Sequence, residues 1–529
     1  MGIYVNPGKE NFEVAVKSEI YVDKTGLLEY TNRILGTEQR CMCVSRPRRF
    51  GKSIAANMMM AYYSKGADSG ELFAGLGITK AADYEKHLNA HNVIYLDVAS
   101  ALVRARDVSL VVDSMQVRVI EELQGMYPDV VKAEEDVLAD ALAKINQAAG
   151  EKFIVIIDEW DAIFREEKAD QNLQKQYVNF LRGMFKSGQS TAFIELAYLT
   201  GILPIKRYNS ESALNNFREF TMTRPGRIAE YIGFTEDEVR ELCQRYDMDF
   251  AETKRWYDGY SFPTLSHVYN PNAVVNAMLN GEFGSYWTDT ASYTTLTDLI
   301  SMNFDGLKDT ILQLLAGERI IVDVKSFQND MTTFRRRDDV LTLLIHLGYL
   351  AYDRSGKAYI PNEEVKESFY NAIGDTNWTP VLEAIKASDA LLKATINGDG
   401  EAVAAGVDRV HMANTSILTY NDENALACVI TLAYYNAINQ YTLHREMPAG
   451  KGYADILFRP RKYADCPAMV VELKVNRSAE SALSQIKERR YVEALEDYQG
   501  KVLLVGVNYD KETKEHTCVI GEWEKTPSV

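Results

Sequence analysis

Cysteine is scarce in this chain: six in 529 residues, at 41, 43, 243, 428, 466 and 518, with no C-x-x-C pair. The spacing offers no zinc-ligand pairs and no disulfide framework, which points to a reducing cytosol. No uninterrupted apolar run approaches the ~18 residues of a membrane span. The start, Met1-Gly2-Ile3-Tyr4-Val5-Asn6-Pro7-Gly8-Lys9, lacks the apolar centre of a signal peptide. A cytoplasmic protein without a membrane partner is therefore expected. Positive charge is also in short supply: 58 Lys and Arg against 75 Asp and Glu give a net charge of −17. That excludes a bulk polyanion binder and confines any nucleic-acid surface to a local basic patch. Internal repeats and low-complexity tracts are missing too. What is present is ordinary globular composition, 46% hydrophobic and 25% charged, at a length suited to about three or four domains.

The most informative stretch is Arg46-Pro47-Arg48-Arg49-Phe50-Gly51-Lys52-Ser53. It follows the apolar run Cys41–Val44 and opens into the helix-forming run Ile54–Met60, so it reads as strand, tight loop and helix N-terminus. Its Gly-Lys-Ser end matches the core of the phosphate-binding loop G-x-x-x-x-G-K-[ST]. Backbone N–H groups would hold phosphate oxygens, Lys52 would neutralise the β- and γ-phosphates of ATP, and Ser53 would ligate Mg²⁺. The first glycine of the motif is missing, because Arg46 stands there. Pro47 has no N–H and pushes Arg46 towards extended geometry, so only the second half of the loop, Arg49-Phe50-Gly51-Lys52-Ser53, donates freely. By the motif alone, a chance Gly-Lys-Ser turn is the competing reading.

Further runs build a sheet around this loop. Ile20–Thr25 is β-rich and precedes a helical stretch, 26–35; Asp23 and Lys24 read as a solvated pair or as neighbours of a nucleotide base. Val93–Val98 is a second strand, followed by helical patterns at about 108–126 and 134–148. Phe153–Ile157 ends in Asp158-Glu159, a buried parallel strand with carboxylates at its C-terminal tip. Mg²⁺ needs an acid there. Asp158 would hold Mg²⁺ and Glu159 would polarise the attacking water, against the alternative of a solvated acidic turn. The run Ala192–Gly201 ends in Thr200, whose hydroxyl would sense the γ-phosphate or simply cap the next turn. Phe217–Met222 completes five strands alternating with helices, which predicts a parallel sheet.

Downstream, 228–325 reads as a mainly helical subdomain. It holds a capping box at Thr235–Glu238, an aromatic cluster at Arg255–Phe262 that reads as core rather than a base-stacking surface, and a helix at about 272–280. Residues 326–405 give helix, hairpin, helix, a winged-helix-like order. The run Arg335-Arg336-Arg337 before its first helix reads as a solvated face, with a phosphate contact as the alternative. In the last quarter, a helix over 422–441 carries Glu423 in its first turn. A glycine turn, Gly450-Lys451-Gly452, leads into a strand with Asp455, and the basic loop Arg459–Lys462 follows. Ala468–Val475 is a strand that puts Glu472 and Lys474 on one face, with room for a hairpin bringing Asp455 beside Glu472. Two carboxylates would hold Mg²⁺ or Mn²⁺, and Lys474 would stabilise developing charge on a phosphate; an E-x-K surface pair is the bland alternative. A helix over 478–495 brings Gln485 within reach of the acids and offers basic residues to a phosphate backbone. A strand at 501–507 closes this sheet.

Taken together, Tyr21–Thr25, Arg46–Ser53, Ile157–Glu159, Thr200-Gly201, Trp256–Tyr260, Gly348–Leu350, Ile360–Asn362, Gly452–Asp455, Glu472–Lys474 and Gln485-Ile486 resemble the AAA-ATPase-like proteins, often bacterial, whose C-terminal domain belongs to the PD-(D/E)xK nuclease superfamily. That family itself reads Arg at the position of Arg46. The resemblance implies an α/β fold: a P-loop NTPase parallel sheet with a helical subdomain, a winged-helix-like connector and a small restriction-endonuclease-like domain, divided at 1–227, 228–325, 326–405 and 406–529. It implies an ATP site at Lys52, Ser53, Asp158 and Glu159, and nuclease residues Asp455, Glu472 and Lys474 with Glu423 and Gln485 as accessories. Ala454 stands where other members often carry Arg. The expected activity is an ATP-regulated, Mg²⁺-dependent nuclease acting on DNA or RNA. The competing readings are a nucleotide-switched binding ATPase with an idle nuclease fold, and an ATP-driven remodeller of a protein partner, working as a homo-oligomer. Arg48, Arg49 and Arg224 are candidate arginine fingers.

Overall fold

The computed structural model describes residues 2–523 apart from 169, 206, 209–210, 213, 263–264, 288–292, 303, 316, 329–330, 375–378, 415–425, 427–429, 431–432, 435–436, 438–439, 450–451, 462–463, 465, 492–494, 496–497 and 499. These residues form two compact units, one comprising 1–305 with 319–368, the other 306–318 with 369–529.

The first unit is built on five parallel strands: β1 (Cys41–Ser45), β2 (Asn92–Asp97), β3 (Phe153–Asp158), β4 (Ile194–Gly201) and β5 (Arg218–Phe220). They lie in the order β2-β3-β4-β1-β5. β1 and β3 are buried along their whole length, as expected of strands covered on both faces. The chain leaves β1 for the far edge, steps back through β3 and β4, and passes β1 to reach β5. The crevice at the carboxyl end of β1 is thus a topological switch point, the place where such sheets bind ligands. Helix α1 (Lys52–Tyr63) starts directly at that end, and α2 (Val111–Met126), α3 (Leu138–Ala149), α4 (Ala162–Glu166) and α5 (Gln171–Lys186) connect the remaining strands.

Three local expectations change. Ile20–Thr25 forms no strand, because Asp23 Oδ1 accepts the Thr25 N–H at 2.8 Å and Oδ2 accepts the Gly77 N–H at 2.6 Å, and the chain turns at once into the helix Gly26–Ile34. An Asx side chain that satisfies local backbone competes with strand pairing. The fourth strand begins at Ile194, two residues later than its apolar run, because 190–193 close a helical turn. The segment after 228 is also less helical than expected. A 3-10 turn, Gly226–Tyr231, precedes helix α6 (Glu236–Tyr246), whose capping box forms as predicted. The aromatic run then pairs as a small antiparallel sheet of β6 (Phe234–Thr235), β7 (Tyr260–Phe262) and β8 (Leu265–Tyr269). Aromatic and β-branched residues favour a pleated, half-buried surface. α7 (Phe250–Tyr257) and α8 (Pro271–Asn280) pack beside it.

The winged-helix-like order is present: helix α9 (Arg337–Leu347), then a hairpin of β10 (Ala351–Tyr352) and β11 (Lys357–Tyr359), then a helix from Glu363, with β9 (Ile320–Ile321) as a third strand. The basic run before α9 is tied to acids: Arg336 Nη2 lies 2.7 Å from Asp323, and Arg337 pairs with Asp338. The aromatic motif at 256–260 locks onto this hairpin. Tyr260 donates its hydroxyl to the Gly348 carbonyl at 2.6 Å, Tyr359 donates to the Gly259 carbonyl at 2.8 Å, and Asn362 Nδ2 donates to the Asp258 carbonyl at 2.8 Å.

The second unit holds a five-stranded mixed sheet in sequential order: β12 (Tyr441–Ala449), β13 (Gly452–Pro460), β14 (Ala468–Val475), β15 (Val502–Asp510) and β16 (Glu515–Trp523). Only β14 and β15 are parallel, and a parallel pair needs a crossover, supplied through α10 (Ala479–Glu488). The edge strand β16, carrying Thr517-Cys518-Val519-Ile520, was not foreseen. The predicted helix 422–441 falls largely outside the described residues, as does most of the predicted glycine turn at 450–452.

Gly259 has φ +120°, and a Cβ there would stand 2.0 Å from the Pro361 carbonyl oxygen. Gly36 also has a positive φ, +66°, but meets nothing within 4 Å. Gly259→Ala is expected to destabilise the first unit by about 3 kcal/mol or more, and Gly36→Ala by about 1 kcal/mol, as measured by urea unfolding of the two variants.

Candidate functional sites

Arg46 turns away from the crevice. Its guanidinium is fully buried, and Nη1 donates to the Ser45 carbonyl at 2.9 Å and the Phe220 carbonyl at 3.0 Å. It lies over the Phe262 ring, 5.1 Å from the centroid, and burial pulls its pKa down to about 10. Its backbone N–H donates to the Gly201 carbonyl at 3.0 Å. The arginine thus ties the tip of β1 to β4 and β5. Pro47 packs on Gly348, where a Cβ would approach Pro47 Cγ to 2.7 Å. Trp287 Nε1 donates to the Arg48 carbonyl at 3.2 Å, and the buried Phe50 ring meets Tyr260 edge-on at 5.3 Å.

Beyond these anchors the backbone turns back. Arg49 has φ +64° and Gly51 +89°, and the turn delivers Lys52 to the first position of α1. No side chain caps this helix, so its first N–H groups are available to an anion. Lys52 is buried and donates to the Pro47 carbonyl at 2.9 Å. Burial lowers its pKa, while Glu159, Asp158 and Asp161 support its charge. Arg49 Nη1 reaches Asn272 of α8 at 2.9 Å.

At the tip of β3, Asp158 is buried and accepts a hydrogen bond from Ser53. Burial raises its pKa to about 6, against the pull of Ser53 and Lys52. A hydroxyl and a carboxylate brought together beside a buried ammonium are a fitting donor set for Mg²⁺, which is held by one or two protein groups plus phosphate and water. Among the described residues no group of three or more His, Cys, Asp or Glu could enclose a metal on its own. Glu159, at φ +50°, does not stand free. Its carboxylate is ion-paired with Arg165 Nη2, and Arg165 Nε donates to Asp161 Oδ2 at 3.0 Å. The same Asp161 oxygen accepts the N–H groups of Ile202 at 3.1 Å and Leu203 at 2.8 Å. Asp161 and Arg165 were missed in the sequence; their i, i+4 spacing just after the acidic tip was the available signal.

Lys52, Ser53, Glu159 and Arg165, though neither Asp158 nor Asp161, line a cavity of about 750 Å³, within the usual range for small-molecule sites, together with the rest of residues 48–55, Lys24 and, on its apolar side, Ile20, Val22, Phe234 and Val275. Lys24 is held by Glu238 at 2.6 Å and by the Glu230 carbonyl at 2.8 Å, so its charge is already matched. Thr200 is fully buried; its carbonyl accepts the Trp160 N–H at 2.9 Å, and the residue does not line the cavity. Arg48, Arg49 and Arg224 are exposed.

In the second unit, β13 pairs antiparallel with β14 from Phe458↔Met469 to Ile456↔Val471, which leaves Asp455 and Glu472 as the next residue on each strand. Asp455 Oδ2 accepts the Leu473 N–H at 2.7 Å. Glu472 and Lys474 are both buried, with Lys474 Nζ 2.8 Å from Glu472 Oε1 and 3.0 Å from the Leu473 carbonyl. Gln485 Nε2, on α10, donates to the same Glu472 oxygen and to the Tyr491 hydroxyl at 3.1 Å. α10 comes this close because β15 carries Gly506, where a Cβ would stand 2.3 Å from the Ala479 carbonyl oxygen. Of the five residues expected at this site, Lys474 and Gln485 both bond Glu472, and Asp455 holds the Leu473 N–H between Glu472 and Lys474. The fifth, Glu423, lies outside the described residues. Two carboxylates, an ammonium and an amide in one cluster suit a divalent cation and a phosphate group.

Residues 8–209 match the family described as predicted AAA-ATPase, and residues 421–523 match the PD-(D/E)XK nuclease superfamily. A curated relative, the uncharacterised protein in the vnfD 5' region of Azotobacter chroococcum mcd 1, is 24% identical over 379 residues. The alignment takes in 67% of this chain and 66% of the relative, just under two thirds of its length. The Aeropyrum pernix ORC2 protein, solved in ADPNP–ADP complexes and in an ADP form, aligns at 13% identity with TM-scores of 0.24 and 0.27. Those alignments cover 68% and 70% of this chain and 97% and 98% of the ORC2 chains. No helix among the described residues is long and apolar enough to cross a membrane.

Removing one partner of a buried ion pair leaves the other uncompensated. Glu472→Ala is therefore expected to destabilise the second unit by about 3–5 kcal/mol, whereas Asp455→Asn, which keeps an acceptor for the Leu473 N–H, changes it by less than about 1.5 kcal/mol. Thermal melts of the two variants check the contrast.

Proposed function

We propose, on the premise that this chain joins an AAA-ATPase-like domain to a PD-(D/E)XK nuclease superfamily domain, that ATP binding and hydrolysis in the first govern a metal-dependent phosphodiesterase in the second, acting on nucleic acid. The observation that carries the reading is the buried Glu472 carboxylate bonded by Lys474 and Gln485, with Asp455 on the Leu473 N–H beside it. We place the functional segments at 1–227, 228–325, 326–405 and 406–529, in a cytoplasmic protein that works as a homo-oligomer.

In this reading Lys52 leaves the Pro47 carbonyl to neutralise the β- and γ-phosphates, while the N–H groups of the loop's second half hold their oxygens. Ser53 and Asp158 hold Mg²⁺, Glu159 polarises the attacking water, and Thr200 acts through its strand tip rather than by direct contact. In the second unit Asp455 and Glu472 hold Mg²⁺ or Mn²⁺, which when bound lowers the pKa of a water and stabilises charge on the phosphate. Lys474 balances Glu472 and stands ready for developing negative charge. Gln485 fixes the Glu472 carboxylate, and Glu423 is assigned the accessory role that the family resemblance implies.

A second reading, a nucleotide-switched ATPase whose nuclease fold only binds, is favoured by the net charge of −17. The test is cleavage of a panel of single- and double-stranded DNA and RNA with Mg²⁺ or Mn²⁺, with and without ATP. Metal-dependent cleavage by the wild type and its loss in Asp455→Asn, with ATPase activity retained, is the expected result. Binding that persists in EDTA with no cleavage of any substrate would favour the second reading. Loss of ATPase activity in Asp455→Asn would show that the two activities are wrongly divided.

A further inference from the structure

Arg165 pairs with Glu159, lines the cavity beside Lys52 and is anchored at its other edge. Its side chain is only 7% exposed. One edge of its guanidinium, Nε, is held by Asp161 at 3.0 Å, and Asp161 is itself fully buried and fixed by the N–H groups of Ile202 and Leu203. This edge has no freedom to leave. Gly201 makes the arrangement possible, since a Cβ there would stand 2.4 Å from Asp161 Oδ1. The other edge, Nη2, is spent on Glu159. Glu159 is held in a left-handed backbone conformation, φ +50°, which a side chain beyond Cβ disfavours. A tethered guanidinium with one exchangeable edge, lining a cavity that also contains Lys52 and the N-terminus of α1, is placed to choose between two anions.

We propose that Arg165 is a positioning residue that holds Glu159 in the nucleotide-free site and passes its Nη2 edge to the terminal phosphate of ATP, releasing the carboxylate to orient water. The proposal rests on the reading of Glu159 as the water-polarising group of an ATPase. It adds a means of regulation: the carboxylate stays occupied until a third phosphate arrives, so ADP leaves it bound. The guanidinium keeps Asp161 throughout, so only the Nη2 edge changes partner. A phosphate is a strong bidentate or monodentate acceptor for arginine, and a charge-assisted hydrogen bond of this kind is worth about tenfold to a hundredfold in affinity.

The test is equilibrium binding of ADP and of a non-hydrolysable ATP analogue, each with Mg²⁺, to the full chain as wild type, Arg165→Gln, Arg165→Lys and Glu159→Gln. The wild type is expected to prefer the triphosphate. Arg165→Gln should lose about tenfold or more of that preference, with ADP affinity moved by less than about twofold. Arg165→Lys should keep part of the preference, and Glu159→Gln, which removes the competing charge, should increase it. A wild type without preference, an Arg165→Gln protein that keeps it, or an equal loss of both affinities, as a purely structural tether would give, would overturn the proposal. The ATPase reading fails by a different result: Glu159→Gln hydrolysing ATP at the wild-type rate, whatever the binding ratios.

Discussion

The loop Arg46–Ser53 depends on a buried guanidinium that turns away from the cavity the loop lines. Arg46 occupies the position where a phosphate loop has its first glycine, and it closes the tips of β1 and β5 through two carbonyls while Phe262 covers one of its faces. Burying a guanidinium that has no carboxylate partner among the described residues carries a desolvation penalty of several kcal/mol. Two carbonyl acceptors and an aromatic face, the latter worth up to about 2 kcal/mol in a desolvated setting, offset part of it. The consequence is a divided loop. Residues 46–48 are a wedge set by Arg46, by Pro47 against Gly348 and by Trp287 on the Arg48 carbonyl. Residues 49–53 are the part that bends towards the cavity. The absent glycine therefore falls in the half of the loop that is anchored to the fold and not in the half that lines the cavity with α1.

Both units use buried charge to fix geometry. In the first, Lys52, Asp158, Glu159, Asp161 and Arg165 form a chain of opposite charges from α1 to the loop after β4. In the second, Glu472 and Lys474 sit side by side under Gln485. Such pairs contribute little net stability, since desolvation takes back most of the Coulombic gain. Their presence at the carboxyl tip of a buried strand, and beside a glycine that lets a helix approach, is more readily understood as chemistry than as architecture.

Much of this was legible in the sequence. Long apolar runs ending in Ser45, Asp158 and Gly201 gave the strands of the parallel sheet, and the two-residue spacing of Glu472 and Lys474 gave their shared face, because both signals are local. What escaped depended on pairing over distance. Asp23 satisfies Thr25 and Gly77 and so cancels a strand that composition favoured. Tyr260 and Phe262 look like core and are core, but as a hairpin that pairs them with Val268 and Leu265. β16 needs β15 as its template. Arg165 could be seen as a helix-face partner of Asp161, yet nothing in the sequence showed that its other edge reaches back to Glu159. Thr200 sits at the predicted strand tip, but it is fully buried and does not line the cavity.

The central claim is that Arg46–Ser53, with its arginine in place of a glycine, is the phosphate-binding loop of this chain. Calorimetric titration of Mg²⁺ and ATP into the wild type and into Lys52→Ala tests it most directly. Saturable one-site binding by the wild type, lost in a Lys52→Ala protein that unfolds at the same temperature, is the predicted result. Binding of equal strength in the two proteins would contradict it.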